Sequence, residues 1–445
     1  MSMARCGAVL AVLMSLALAG CGTSEDASIR LLNASAGYPA LDVYFELGGT
    51  FGKPQISNVA SGTVSSYAHI VPKSYTTYFT GHGVAPANAL LSTSQTFSIN
   101  QTLTYVAYGD SGEFGDMTIN EDQPAPSGGY TNIEVLNADP DAGSLDVYLT
   151  SPGLPLNDAS PNFSAVKGGH STGFTEIKAG NYELRITGAG KKSDLRFELP
   201  SITLGNLKTL SLIITETPGG YLVNVMALPQ KGTLTVYSNP DARVRAVIGV
   251  NGSVSASVGS TALLSAAPEG VIGPYELVPA GSDPVTLTVN GVSVSVPNQQ
   301  FNSGQDYTFL VYGTAAGVQE SLLADSNIPP LSGYSSVRLV NAMSGTTDPI
   351  SLSIDFLPVA TNIPLGSDVP SGSASGTSPY DTQVTATSTG TVIVTDDVTG
   401  QTLYSEPNAA DTNYATLASG DVYTMFMFGS TSAPSGELFQ DDPVP

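Results

Sequence analysis

Three aspartates in one turn-prone segment are the residues that come nearest to a metal site in this sequence. Asp139, Asp141 and Asp146 lie close together in a stretch that also holds proline, glycine and serine. Carboxylate oxygens are the ligands that calcium prefers, and loops at the ends of domains can hold this ion. The spacing does not fit an EF-hand loop, and a polar turn solvated by water explains the same residues. We keep calcium as a candidate beside the expectation of no cofactor.

No other group of residues in the sequence is typical of a catalytic site. His69, His82 and His170 are the histidines of the chain, and they form neither an HExxH pattern nor an H-x-H pair. Adjacent carboxylates such as Asp396 and Asp397 point to opposite faces of a strand, so they do not converge on a substrate. The sequence therefore predicts no catalytic residues and no enzymatic activity, with an enzyme kept as a third hypothesis.

Both cysteines of the chain, Cys6 and Cys21, lie near its N-terminus. No disulfide between later domains and no thiolate metal site is therefore expected. Arg5 and the apolar stretch 8–18 precede Cys21, and a basic residue before a short apolar run is typical of a secretory signal. The run is too short for a transmembrane helix. Residues 1–20 are therefore predicted to be a signal peptide that is removed on export.

The last residues of this segment, Leu18-Ala19-Gly20-Cys21, resemble the bacterial lipobox. In proteins with a lipobox the cysteine carries a diacyl lipid, the signal is cut just before it, and the new N-terminus is acylated. The resemblance implies lipid attachment at Cys21, and several acyl chains on one residue suffice for stable membrane anchoring. Because Gly22 rather than aspartate follows, resemblance to enteric lipoproteins implies the outer membrane, facing the periplasm or the cell surface. An ordinary signal peptide with a chance cysteine is the alternative.

The composition indicates an all-β protein with a strongly acidic surface. Gly (47) and Pro (30) are abundant and charged residues make up only 12% of the chain, which favours short strands joined by turns. A hydrophobic fraction of 41% is enough to fill real cores. The formal net charge of −23 should repel nucleic acid, so no nucleic-acid partner is expected.

A short pattern recurs four times and organises the chain. Each clear copy begins with an apolar strand that ends in Asn-Ala, followed after a polar loop by a second alternating strand. The clear copies start at 29–34, 133–138 and 337–342, and a weaker third copy is assigned to 234–239, with its second strand at 244–248. A period of about 100 residues suits an immunoglobulin-sized sandwich.

The first strand of each clear copy alternates in polarity. One face is apolar, as at Ile29 and Leu31, and the opposite face begins with a charged residue. These charged residues are Arg30, Glu134 and Arg338. A period of two with one apolar face is typical of a half-buried strand. The pattern therefore predicts sandwiches in which these strands bury one face.

We predict four tandem immunoglobulin-like antiparallel β-sandwich domains after the signal peptide. Their predicted bounds are residues 22–123, 130–229, 233–328 and 335–443. Linkers that contain proline and glycine, at 126–130, 228–232 and 330–334, separate them. Because short linkers of this kind limit the reach of each domain, we expect a semi-extended rod.

The Asn-Ala ending, the Asp-Val-Tyr that follows it and the later strand at Gly180-Asn181-Tyr182 resemble the bacterial envelope family catalogued as domain of unknown function 4397. The resemblance covers most of copies one and two, the start and end of copy four, and copy three loosely. It implies a β-sandwich in exported, often lipid-anchored proteins, without an established activity.

Together these features predict a non-catalytic, lipid-anchored protein of the cell envelope that acts as a structural, adhesive or interaction scaffold. Its partners would be the membrane, through the N-terminal lipid, and envelope proteins or glycans. The alternative is a module on the envelope that binds a glycan, a peptide or calcium. The absence of tryptophan counts against a sugar-binding role, because aromatic rings stack on sugars.

Overall fold

The computed structural model describes residues 25–441, apart from residues 47–48, 50, 111, 315, 375–376, 381 and 409–412. Cys21 and the predicted signal peptide lie outside the described residues. The described chain is almost entirely β, with one-turn 3-10 helices at Pro86–Asn88 and Leu156–Asp158. No helix in this part of the chain is long and apolar enough to cross a membrane. The predicted all-β class is confirmed, and the strands form successive units that we number 1 to 4.

Unit 1 is built from two open sheets that enclose a common core. Its strands are β1 (Ala27–Asn33), β2 (Ala40–Glu46), β3 (Ile56–Ala60), β4 (Thr63–Val64), β5 (Ala68–Ile70), β6 (Ser74–Gly81), β7 (Leu91–Thr96), β8 (Thr102–Tyr108) and β9 (Gly115–Asn120). The first sheet has the order β4–β1–β8–β9, with β5 also paired to β1, and the second sheet has β3–β2–β6–β7. Alternate residues of both sheets, such as Ile29, Leu41, Phe79 and Tyr105, fill the space between them.

The other three units repeat this order of strands, each around its own apolar core. The strands of unit 2 are β10 (Tyr130–Asn137), β11 (Leu145–Thr150), β12 (Phe163–Val166), β13 (His170–Ser171), β14 (Thr175–Lys178), β15 (Gly180–Gly188), β16 (Lys191–Leu204), β17 (Lys208–Glu216), β18 (Val223–Pro229) and β19 (Thr235–Tyr237). The strands of unit 3 are β20 (Asp241–Ile248), β21 (Val254–Val258), β22 (Thr261–Ala267), β23 (Glu276–Pro279), β24 (Gly281–Asp283), β25 (Val285–Val289), β26 (Val292–Val294), β27 (Gln299–Phe301), β28 (Asp306–Thr314) and β29 (Gly317–Asp325). The strands of unit 4 are β30 (Tyr334–Asn341), β31 (Ile350–Ile354), β32 (Leu357–Ile363), β33 (Gln383–Thr385), β34 (Thr387–Gly390), β35 (Val392–Asp396), β36 (Thr402–Glu406), β37 (Ala415–Leu417), β38 (Val422–Ser430) and β39 (Ala433–Gln440).

Each first sheet has a parallel pair of strands at its centre, which the prediction of antiparallel sandwiches did not include. β1 runs parallel to β8, β10 to β17, β20 to β28 and β30 to β38. The chain crosses to the second sheet after the first strand and returns beside that strand near the end of the unit. Strands in a parallel pair are commonly covered on both faces, and this holds for the first sheets here.

The repeated asparagine of the sequence pattern ties the two sheets of a unit together. In unit 1, the Nδ2 group of Asn33 donates hydrogen bonds to the carbonyls of Tyr38 and Val59, at 3.1 and 3.0 Å. Asn137 and Asn341 make the corresponding pairs of bonds in units 2 and 4. All three asparagines are fully buried. A buried amide with partners on both sides fixes the turn between the first two strands.

The third copy of the pattern lies later in the chain than the sequence analysis placed it. The first strand of unit 3 is β20, which contains the segment 244–248 that was assigned to the second strand. The segment 234–239 contains β19, which pairs with β18 and so extends the first sheet of unit 2. That assignment was wrong because Asn239 imitates the repeated asparagine. It donates to the carbonyls of Arg196 and Val223, at the boundary between units 2 and 3.

Neighbouring units are packed against each other in pairs. The outer faces of the first sheets of units 1 and 2 share an apolar cluster that includes Leu32, Val106, Leu136 and Ile213. Units 3 and 4 share a second cluster, formed by Val247, Leu310, Tyr312, Leu323, Val340, Ala342, Phe426 and Phe428. The expectation of a semi-extended rod is therefore wrong for both pairs, because the linkers allow face-to-face packing.

This packing also corrects the interpretation of the charged residues on the first strands. Arg30, Glu134 and Arg338 are only 3%, 4% and 0% exposed. They lie on the outer faces that meet between units, so these strands are buried on both faces rather than half-buried. Charged side chains are seldom buried unless they are paired, and their partners define the inter-unit contacts described below.

Candidate functional site

Asp146 is held by backbone groups of its own unit. Its Oδ1 accepts the N–H of Ala165 at 2.8 Å, and its Oδ2 accepts the N–H of Gly190 at 2.9 Å. Asp42 accepts the N–H of Asn58 in the same way in unit 1, at 2.7 Å. Ala165 and Asn58 both have positive φ, at irregularities in the strand register. The aspartate therefore fixes a β-bulge in both units.

Asp139 and Asp141 lie together in the loop between β10 and β11. Asp139 is 1% exposed. Its Oδ1 accepts the N–H groups of Asp141 and Ala142, at 3.1 and 3.0 Å. Its Oδ2 is buried without a hydrogen-bond partner among the described residues. Of the three aspartates predicted from sequence, the structure thus brings two together and leaves the third at its bulge.

Carboxylates from other segments complete a cluster around this loop, which we call the acidic junction. It consists of Asp110 and Glu113, in the turn after β8 of unit 1, Asp139 and Asp141 in unit 2, and Glu216 at the end of β17. Each member is close enough to another to influence its ionisation. Oε1 of Glu216 is a second buried oxygen without a hydrogen-bond partner in the described chain.

Burial and mutual repulsion raise the pKa values of the carboxyl groups at the junction. Burial, reinforced by the charge of Asp141, raises the pKa of Asp139 to about 7. Burial and the charges of Glu113 and Asp110 raise the pKa of Asp141 to about 6. Burial and the charges of Asp139 and Asp110 raise the pKa of Glu216 to about 9. The fully ionised cluster is therefore unfavourable unless positive charge offsets it.

Sequence reasoning missed Glu216, although one irregularity in the repeats marks it. The closing strands of the other units end in an aromatic residue followed by glycine, as at Tyr108-Gly109 and Phe428-Gly429. Strand pairing places Thr215-Glu216 at the same register in unit 2. A carboxylate at a position that otherwise needs glycine was the available signal.

A cleft of about 210 Å³ lies beside the acidic junction and is open to solvent. Asp110, Glu113 and Asp141 line one side. The segment between units 3 and 4, with Pro329 and Pro330, and Tyr380 of unit 4 line the other side. Within the described residues, no group of three or more acidic, histidine or cysteine side chains is placed so that it could hold a metal ion.

The histidines and a serine motif do not form a nucleophilic site. Gly169-His170-Ser171-Thr172-Gly173 matches the G-x-S-x-G pattern, but a nucleophile elbow needs a strand-to-helix turn. Here Ser171 lies in β13, donates to Glu134 at 3.2 Å, and has His170 turned toward the carbonyl of Gly168. His82 contacts Asp42 at 3.0 Å and His69 contacts Ser28 at 3.2 Å, both in unit 1.

An alternating stack of guanidinium groups and aromatic rings joins unit 2 to unit 3. The ring of Tyr221 lies between Arg196 and Arg243, whose guanidinium carbons are 3.7 and 3.6 Å from its centroid. The ring of Tyr275 lies between Arg243 and Arg245, at 4.5 and 4.7 Å. We call this stack the arginine ladder. Such contacts are strongest when water is excluded, and Arg196, Arg243 and Arg245 are all buried.

At its far end the ladder reaches a reciprocal pair of ion contacts between units 3 and 4. Nη1 of Arg245 lies 2.6 Å from Oδ1 of Asp441, and Nη2 of Arg338 lies 2.7 Å from Oδ1 of Asp325. These oxygens make no aligned hydrogen bond, so charge attraction holds each pair. Burial alone would raise the pKa of Asp325, but Arg338 and Arg245 outweigh it and hold the pKa below its ordinary value.

The same triad recurs in three units, at equal strand register. An arginine on the first strand faces a threonine on its parallel neighbour, and both bind an acid at or just after the end of the last strand. The triads are Arg30–Thr104–Glu121, Arg245–Thr308–Asp325 and Arg338–Thr424–Asp441. Only the contact from Arg338 to Asp441 is replaced, by the crossed pairs described above. In unit 2 the corresponding positions are Glu134, Ser211 and Gln230.

Units 1 and 2 are therefore joined differently from units 3 and 4. Arg30 binds Glu121 within unit 1 at 2.9 Å and donates to the carbonyl of Gly232 at 2.7 Å. Gln123 and Gln230 exchange two hydrogen bonds across the junction, at 3.0 and 3.1 Å. No acid of unit 1 binds an arginine of unit 2 at this place in the described chain, because Glu134 occupies that position.

The fold and these contacts define a protein of tandem, face-packed β-sandwiches. Residues 27–148, which are unit 1 and the start of unit 2, match the family described as Domain of unknown function (DUF4397). The resemblance stated from the sequence is therefore confirmed over this part of the chain. None of the curated proteins matches the sequence.

Two solved structures are similar to this chain at a low level. One is the crystal structure of CBMbc (family CBM26) from Eubacterium rectale Amy13K in complex with maltoheptaose. It is 13% identical, with 48% of this chain and 96% of that chain covered and a TM-score of 0.15. The other is the Bacillus anthracis TIE protein, 10% identical, with 90% of this chain and 68% of that chain covered and a TM-score of 0.15. At these scores neither comparison carries a functional argument.

Proposed function

We propose that this protein is a non-catalytic, lipid-anchored protein of the cell envelope that acts as a structural, adhesive or interaction scaffold. The observation that carries the proposal is that the buried charged residues bind one another across the boundaries between units. Arg245, Arg338, Asp325 and Asp441, together with the arginine ladder, hold one unit against the next. These arginines and aspartates, which are residue types common in active sites, thus bind neighbouring units to each other.

Units joined in this way suit a scaffold, because buried ion pairs and stacked rings resist bending at the boundaries between domains. Removing one partner of a buried pair leaves a charge without compensation, which makes partial separation of the units unfavourable. A chain of fixed geometry presents its loops and sheet edges at set distances from its anchor. Envelope proteins or glycans would bind those loops and edges.

The proposed anchor is the lipid on Cys21, with an outer-membrane location that faces the periplasm or the cell surface. The test is fractionation of cells that express the full chain and two variants. Cys21→Ser should move the protein from the membrane to the soluble fraction, because no acyl chain is then attached. Cys6→Ser is the matched control, since this cysteine lies within the predicted signal peptide. Membrane retention of Cys21→Ser contradicts the proposed anchor.

A ligand-binding module for a glycan, a peptide or calcium is the second candidate function. The acidic junction favours it, because two buried carboxylate oxygens there have no partner in the described chain, and other carboxylates of the junction line a cleft. A thermal-shift panel of calcium and oligosaccharides tests this candidate directly. Unchanged unfolding temperatures across the panel contradict it and leave the scaffold proposal standing.

A further inference from the structure

The positive groups around the acidic junction do not balance the negative charge of its carboxylates. Arg196 is the positive group that acts on Asp139 in the described chain. Its guanidinium already binds both oxygens of Asp194, at 2.7 and 2.9 Å, and stacks on Tyr221. It is therefore committed elsewhere. The other groups that act on Asp139, Asp141 and Glu216 from neighbouring segments are carboxylates.

Two carboxylates at the junction each have one oxygen prepared for a ligand. Backbone N–H groups hold Oδ1 of Asp139, which fixes the direction of its carboxylate and leaves Oδ2 buried without a partner. Glu216 contributes Oε1, which is also buried and unpartnered in the described chain. Buried polar atoms in native proteins nearly always have a partner. Two orphaned oxygens among like charges point to a positively charged ligand.

We propose that the acidic junction binds a divalent cation, with calcium as the ion that fits best, through Asp139 and Glu216. Asp141, Glu113 and Asp110 complete the negative shell. Calcium is a hard cation that takes several oxygen ligands, accepts water among them and tolerates irregular geometry. The cleft lined by Asp110, Glu113 and Asp141 brings water to that side of the junction. This inference deepens the second candidate function, on which it rests, by naming the ion and its ligands, and it does not depend on the scaffold proposal.

No three side chains of the described chain form a ready cation site, so binding requires side chains of the junction to move toward the ion. Asp110 and Glu113 belong to a turn, and Asp141 belongs to a loop, so their side chains can approach a cation with little change in the sheets. A bound ion would then join the turn of unit 1 to the loop and closing strand of unit 2.

The experiment is thermal unfolding of the mature chain after treatment with a chelator, with and without added calcium. At calcium about a hundredfold above its dissociation constant, we expect the unfolding temperature to rise by about 5 °C. Asp139→Asn and Glu216→Gln should each abolish this rise. Asp158→Asn is the matched control, because Asp158 is an exposed carboxylate of the same unit outside the junction, and it should keep the rise.

Terbium emission provides a second measurement that does not depend on the stability of the variants. The chain has no tryptophan, so tyrosines are the sensitisers, and Tyr380 lines the cleft. We expect sensitised terbium emission that calcium displaces from the parent protein and that Glu216→Gln loses. The proposal is overturned if calcium leaves the parent protein unchanged by both measurements, or if the junction variants respond as Asp158→Asn does.

Discussion

Units 1 and 2 meet through the same strands as units 3 and 4, at the same register, yet different chemistry holds the two pairs. In the second pair, Arg245 and Arg338 each bind an aspartate of the opposite unit. In the first pair, Arg30 keeps its acid within unit 1, and Glu134 stands where Arg338 stands in the second pair. The apolar contacts are comparable, so the difference lies in the buried charges.

One fold therefore tolerates a positive or a negative side chain on the face between units, provided that the groups bound to that side chain change as well. Glu134 accepts hydrogen bonds from Ser211 and Ser171, at 2.7 and 3.2 Å, instead of pairing with an arginine. Gln230, at the register of Asp441, bonds to Gln123 as a neutral group. We infer that the second pair is held more strongly and depends more on its charges.

The largest expected effect is that of Arg338→Met. Asp368 would lose its buried cation and Asp325 the closer of its two arginines, and removing one partner of a buried ion pair costs about 3–5 kcal/mol. Arg30→Met should cost less, because it takes a cation from one acid, Glu121, rather than from two, and Glu121 keeps the hydroxyl of Tyr67 at 2.8 Å. Chemical denaturation measures the free energy of unfolding of both variants and of the parent protein. Equal losses contradict the inferred difference between the pairs.

A charge exchange should convert the first pair toward the second. Glu134→Arg alone places a second cation beside Arg30 with no second acid for it, because Glu121 already binds Arg30, so it should destabilise the chain. Adding Gln230→Asp supplies that acid and should recover about 1–3 kcal/mol relative to the sum of the single changes. A double-mutant cycle by urea denaturation measures this coupling. If the effects of the two changes simply add, the introduced aspartate at position 230 does not interact with the arginines, and Gln230 is not the energetic counterpart of Asp441.

Tyr221→Leu tests the arginine ladder, which joins the two pairs. The change keeps an apolar side chain but removes the ring between Arg196 and Arg243, so we expect a loss of about 1–2 kcal/mol. Tyr414→Leu is the matched control, because Tyr414 is 51% exposed and should lose little. If both variants lose the same free energy of unfolding, the stack of Tyr221 between two arginines does not contribute specifically to stability.

The smallest expected effects are opposite responses to pH. Because the arginines hold the pKa of Asp325 below its ordinary value, its stabilising effect is present above about pH 4 and is lost as the pH falls further. Burial raises the pKa of Glu134 above its ordinary value, so its ionisation opposes folding as the pH rises above about 4. Asp325→Asn should reduce the change of the free energy of unfolding with pH on the acid side. Glu134→Gln should reduce the same change toward neutral pH. Denaturation from about pH 3 to 7 measures both, and unchanged curves contradict both assignments.

The sequence predicted the repeats, the all-β class and the alternation that fills each core, because these depend on local patterns. It did not predict how the units pack. Leu32 and Val106 were the available signal, since they make β1 and β8 apolar on both faces, as expected for a buried parallel pair. With one face assumed to meet solvent, Arg30 was expected at a surface.

The acidic junction was harder to foresee, because its members come from two units and become neighbours only through packing. Asp139 and Asp141 were found from their spacing, and Asp146 was grouped with them for the same reason. Its role at the bulge depends on a register irregularity that spacing does not reveal. Only Glu216, at a position that otherwise holds glycine, departed from the repeat in a way that the sequence displays.

If buried charges fix one unit against the next, spin labels in units 3 and 4 should lie at one well-defined distance, which pulsed electron spin resonance measures. Val292 and Val398 are 68% and 67% exposed, and removal of residues 1–24 leaves no other cysteine to label. Labels at Val292→Cys and Val398→Cys should give one narrow distance distribution, which Arg338→Met broadens. A broad distribution in the parent chain, as linked but independent units would give, contradicts the account.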